Sequence, residues 1–180
     1  MKRPAALVLA LIALPVAAWA EDRIYSYEPA SDAARTLAET GLSFEFARTL
    51  LGGARVRRVI QTGDQGAAAV RPASASELGV GGLKAALGTQ SPVGDLYAIR
   101  PDQEDGQAFI GAVCPGAEHA WLLIGKLERF EDLAIQAVGR DKGAAGARLC
   151  ASLAFSFRND WTLPPRTPPR VRFSTGRPGR

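Results

Sequence analysis

Residues 107–127 read QAFIGAVCPGAEHAWLLIGKL, and the fold turns on how this stretch is understood. Pro115-Gly116 is a turn signal, because proline presets one backbone angle and glycine tolerates the reversal that follows. On either side, Gln107–Cys114 and His119–Leu127 are apolar at nearly every position. A strand with one wet face alternates apolar and polar residues, whereas a continuous apolar run indicates a strand covered on both faces. The expectation is two interior strands joined by a tight turn.

Working outward from this pair, Leu96–Ile99 reads as a short strand and Pro101–Gly106 as a polar turn. Downstream, Phe130, Leu133, Ala134, Ala137 and Val138 recur at helical spacing and Gly139 supplies a stop, which predicts a helix. Leu149, Ala151, Leu153, Phe155 and Phe157 then fall on one face of a final strand, with Cys150, Ser152, Ala154 and Ser156 on the other. Near the start, Ile24–Tyr27 is a short strand, and Ser31 followed by Asp32 is an N-cap signature for a helix carrying Ala33, Ala34, Leu37 and Ala38, with Gly41 as its stop. Leu42, Phe44 and Phe46 alternate with Ser43 and Glu45, and with Val56–Ile60 they suggest a hairpin turning at Gly52-Gly53; a helix over Phe44–Leu51 fits the same residues. Between Thr62 and Thr89 the chain is rich in Gly, Ala and Ser, with Ser76–Leu87 as the helical stretch. Strands joined by short turns with a few helices give an α+β fold, a mostly antiparallel sheet with two or three packed helices.

Met1–Arg3 is positively charged, Pro4–Val16 is almost wholly apolar, and Ala18-Trp19-Ala20 precedes the acidic Glu21-Asp22. This is the three-part pattern of a secretory signal peptide over residues 1–20. Its apolar run is shorter than the roughly 20 residues a membrane-spanning helix needs, so an uncleaved anchor is the lesser reading. The expected organisation is a single domain over residues 21–163 and a disordered tail over residues 164–180, in a periplasmic or secreted protein with no transmembrane segment in the mature chain. Charge divides the same way. The domain carries a net −3, while the tail holds five arginines, five prolines and no acid, a net +5. The acidic body and the compartment argue against nucleic acid as a partner.

The chain has two cysteines, Cys114 and Cys150, which in an oxidising compartment read first as a disulfide. His119 is the sole histidine. Beside Glu118 and five residues after Cys114, it could draw a proton from a thiolate nucleophile, giving a hydrolase or transferase. The plainer reading is a half-buried histidine packed on Trp121. Asp102, Glu104 and Asp105 form a carboxylate cluster whose plainer reading is an exposed turn. No metal-ligand set, phosphate loop or serine-hydrolase elbow is present, and no cofactor is implied. Arg55 and Arg57 on the hairpin, and Arg166, Arg170 and Arg172 in the tail, are candidates for contact with an anionic envelope component. The function these residues favour is a non-enzymatic binding or envelope-associated protein.

Overall fold

The computed structural model describes residues 22–48, 53–63 and 66–163. Among these, eight antiparallel strands close into a barrel in chain order, each paired with its sequence neighbours and the first with the last. The strands are β1 (Asp22–Pro29), β2 (Leu42–Arg48), β3 (Ala54–Gln61), β4 (Ala67–Pro72), β5 (Asp95–Glu104), β6 (Ala117–Ile124), β7 (Leu133–Asp141) and β8 (Arg148–Thr162). Three short helices, α1 (Asp32–Leu37), α2 (Gly82–Leu87) and α3 (Gly106–Val113), and a 3₁₀ turn at Ala75–Leu78 occupy the connections.

The expected α+β sheet is thereby corrected to a closed barrel. Two windows exchange roles. Gln107–Cys114, read as an interior strand, lies mostly in α3, where Gly106, Phe109, Ile110 and Val113 form one buried stripe. Phe130–Val138, read as a helix, is a loop followed by β7: Leu133, Ile135 and Ala137 point into the barrel, and Phe130 takes a left-handed φ of 66°. The strand β4 falls where no strand was expected, and β5 continues to Glu104 through the expected polar turn. The helical stretch Ser76–Leu87 divides into the 3₁₀ turn and α2 around Gly79–Gly81. Other readings match the structure. Ser31 caps α1, its hydroxyl accepting from Ala34 N at 3.2 Å, and β2 pairs with β3 as the hairpin requires, so the helix alternative over Phe44–Arg48 is set aside. The segments 1–20 and 164–180, and the Gly52 half of the hairpin turn, lie outside the described residues.

Alternation of inward apolar residues fills the lumen, as an eight-stranded barrel requires. Tyr25, Tyr27, Phe44, Phe46 and Phe157 meet edge to face, with ring centroids 4.7–5.8 Å apart in the pairs they form, and Phe155 is buried in the same cluster. One end is plugged by α1 and by α3, which inserts Phe109, Ile110 and Val113. At this end Cys114 bonds Cys150 across a Cα–Cα separation of 5.2 Å, and Gly139 is required beneath the sulfur, since a Cβ there would lie 2.3 Å from Cys114 Sγ. A second apolar cluster lies outside the barrel: Leu78, Ala86 and Leu87 cover Leu96, Ala98, Trp121, Leu123 and Val138. Strand β6 is therefore apolar on both faces because both are covered, in line with its sequence. The outward face of β1–β3 mixes Ser26, Ser43, Glu45 and Arg58 with half-buried Ile24 and Ile60.

Candidate functional site

Among the described residues, no helix covers the end of the barrel opposite α1 and α3. Here the hydrogen-bonded pairing of β3 with β4 covers only Arg58–Ile60 against Ala67–Ala69, while β4 stays paired with β5 down to Pro72 and Tyr97. The first half of β3 therefore parts from β4. Tyr97, inward-facing on β5, reaches into the gap. Its hydroxyl donates to Ala54 O at 3.2 Å and accepts from Val56 N at 3.4 Å, partnering backbone groups that β4 leaves.

A hollow of ≈ 340 Å³ lies beside this gap, at the mouth. Val56, Ile124 and Leu127 give it apolar walls, and Arg48, Asp95, Lys126 and Glu128 stand around it. Gly94 lets the β5 entry run close to β6, since a Cβ there would lie 2.0 Å from Ile124 O. A second hollow of ≈ 260 Å³ shares Gly53, Ala54, Asp95 and Tyr97 with the first and adds Arg55 and Pro72. Arg48 donates to the buried Tyr25 hydroxyl at 2.7 Å, and Lys126 pairs with Glu128. Burial pushes the Tyr97 phenol above its ordinary range; the Val56 N–H opposes this, Asp95 adds to it and Arg55 opposes it. The hydroxyl thus remains protonated, a neutral donor and acceptor between one acidic and one basic side chain.

The residues singled out from sequence are dispersed. Cys114 Sγ is bonded to Cys150 and sits in the barrel's inner cluster, so it has no thiol to offer. His119 lies on the outer face, half-buried, with its ring 6.2 Å from Trp121. Glu118 is the extra residue at a register shift between β6 and β7, and is exposed. A Cys114–His119 hydrolase or transferase consequently finds no support. The carboxylate cluster also separates: Glu104 meets Arg58 at 2.8 Å, and Asp105 accepts from Ala67 N at 3.2 Å. Arg57 pairs with Asp22 at 2.8 Å, whereas Arg55 borders the gap beside Tyr97. Arg166, Arg170 and Arg172 lie outside the described residues. Among those described, no three His, Cys, Asp or Glu side chains converge as a metal site. Tyr97, Arg48 and Asp95 were missed from sequence because they stand on β2 and β5, and only barrel closure brings them to one mouth. Comparison with family models, with curated proteins and with solved structures yields no match to this chain.

Proposed function

We propose that this chain is an exported, non-enzymatic binding protein that takes a small amphiphilic molecule into the open barrel mouth. The observation that carries the reading is the parting of β3 from β4 around Tyr97. Beside it, apolar walls (Val56, Ile124, Leu127) and a charged rim (Arg48, Asp95) share one hollow of ligand-binding size. The apolar part of the ligand packs on the walls and its charged head meets the rim. Export is supported by the signal-peptide pattern of residues 1–20 and by the Cys114–Cys150 bond. Docking of the arginine-rich tail on an anionic envelope surface is part of the same proposal.

The test uses anilinonaphthalene sulfonate, an apolar fluorophore with one anionic group, and octanoate as competitor. The native chain enhances the fluorescence and octanoate reverses it. Arg48→Glu and Leu127→Arg each weaken both responses while the circular dichroism spectrum stays native. Unchanged binding in both variants refutes a site at the mouth.

A further inference from the structure

The outer face of the barrel carries a different hollow, remote in character from the mouth. Strand β5 buckles after Ile99: its register with β4 jumps from Val70↔Ile99 to Ala68↔Glu104, so residues 100–103 leave the ladder. The buckle raises one wall of a cleft of ≈ 310 Å³ lined by Arg71, Arg100, Asp102, His119 and Trp121, among others. Cross-strand pairing sets Arg71, Ala98 and Trp121 side by side, with His119 and Arg140 neighbours on β6 and β7.

Two independent features of this cleft call for an anion. The first is Trp121. It is 4% exposed, and its indole Nε1, a donor only, is buried without an acceptor among the described residues. A buried donor without a partner forfeits the hydrogen bond it made with water, so native structures rarely leave one. The second is charge. Arg71 is matched by Glu77 at 2.6 Å, but among the described residues no carboxylate stands within ion-pair distance of Arg100, His119 or Arg140. Arg100 has the Gln103 amide oxygen, once that amide is oriented to accept, as its neutral partner at 2.9 Å. The Arg140 guanidinium lies 5.5 Å from the Trp121 ring and donates to Glu77 O at 3.3 Å, which fixes the indole from one side. Asp102 is the carboxylate on the wall.

We infer that this cleft is a binding site for a small oxyanion of the phosphate class, free or carried as a phosphomonoester. The anion accepts the Trp121 N–H and a guanidinium donor from Arg100, with His119 at its flank. Charge-assisted bonds to guanidinium groups are the strong ones.

The experiment follows the indole Nε1–H resonances of the ¹⁵N-labelled full chain, assigned through Trp19→Phe, Trp121→Phe and Trp161→Phe. Inorganic phosphate and glycerol phosphate are titrated in parallel, with chloride added to matched ionic strength as reference. The expected result is a saturable downfield shift of the Trp121 indole alone, weakened at least about tenfold by Arg100→Gln, the loss of one charge-assisted contact. His119→Gln serves as a second variant should Arg100→Gln fail to fold. Tighter binding of glycerol phosphate identifies the phosphomonoester form, and equal binding the free anion. A Trp121 resonance that stays put with both anions, or moves equally with chloride, overturns the site. So does phosphate binding left at full strength in both folded variants.

Discussion

Two tyrosines stand two residues apart on β1, both inward and both essentially unexposed, yet their hydroxyls differ. Tyr25 Oη accepts from Arg48 at 2.7 Å, whereas Tyr27 Oη is buried without a partner among the described residues. Replacing each by phenylalanine keeps the ring and its edge-to-face contacts with Phe157. In Tyr27→Phe the lost group is a desolvated hydroxyl with nothing to return, and relieving that penalty stabilises by about 1 kcal/mol, at the low end of roughly 1–3. In Tyr25→Phe a bond from a charged donor disappears, which costs about 1–2 kcal/mol, less than a fully buried case because Arg48 can rehydrate. The two variants should therefore differ by about 2–3 kcal/mol, with opposite signs, in urea melts of the full chain. The pH dependence gives a second reading. Burial, with a smaller contribution from Tyr25, pushes the Tyr27 phenol well above its ordinary value. The unfolded chain loses this proton near pH 10 while the folded chain keeps it, so the unfolded state binds fewer protons and stability falls as pH rises past about 10. Tyr27→Phe removes that component and flattens the alkaline limb. A loss of stability in Tyr27→Phe comparable to that in Tyr25→Phe, with an unchanged alkaline limb, would refute the assignment of an unpartnered hydroxyl.

The disulfide spans a sequence separation of 36, and loop closure of that length contributes about 4 kcal/mol in the chain-entropy model. A Cys114→Ala, Cys150→Ala double variant is expected to lose about that much in urea titration and to be indifferent to reductant. Gly139→Ala should cost about 1–3 kcal/mol because the new Cβ meets Cys114 Sγ at 2.3 Å and Ala117 Cβ at 2.9 Å; the cost should shrink in the Cys114→Ala background, read as a double-mutant cycle. Ser31→Ala removes a cap that accepts from both Ala34 N and Ala154 N at 3.2 Å, tying α1 to β8, and should lower stability by about 1 kcal/mol in thermal melts.

The elements legible in the sequence are those whose side chains alternate cleanly. Ser31-Asp32 announces α1 because its signal is local and chemically distinct, whereas Leu42, Phe44 and Phe46 alternate as β2 requires while a helix over Phe44–Leu51 fits the same residues. The two misread windows fail for a common reason, which is that Ala and Gly count as apolar while packing like spacers. In α3 the buried residues Gly106, Phe109, Ile110 and Val113 keep helical spacing, but the exposed Ala108, Gly111 and Ala112 disguise it as a uniform run. In β7, Gln136 faces outward yet is buried, bonded to Gln90, Ser91 and Val93, so Leu133, Ala134, Ala137 and Val138 imitate a helical stripe. The strand β4, half of it alanine, has little side-chain signal of its own. Barrel closure is a pairing of β1 with β8, at opposite ends of the described chain, and nothing in either segment names the other. Both hollows inherit this difficulty, since each draws its residues from strands that closure and register alone make neighbours.

Register is also where the barrel makes room for function. Its lumen is filled by aromatic rings, so a ligand must find space at an end or outside. Register shifts occur in the pairings of β1 with β8, β2 with β3, β4 with β5, β6 with β7 and β7 with β8. Each inserted residue inverts the inward–outward phase of its strand beyond that point. On β8 the shift at Cys150 leaves Ala151, Leu153 and Phe155 with the inner cluster and sends Leu149 to the outer one, which is why these residues, read as one face, serve two cores. The inserted residues escape alternation altogether: Arg57 turns to Asp22, and Cys150 to Cys114. The same logic locates both hollows. The mouth hollow lies beside the place where the β3–β4 ladder stops and Tyr97 takes over its backbone partners, and the anion cleft opens where β5 leaves the ladder after Ile99. Restoring regular pairing at either place would close the hollow there, so the departures from an ideal barrel are the features that give this chain somewhere to bind.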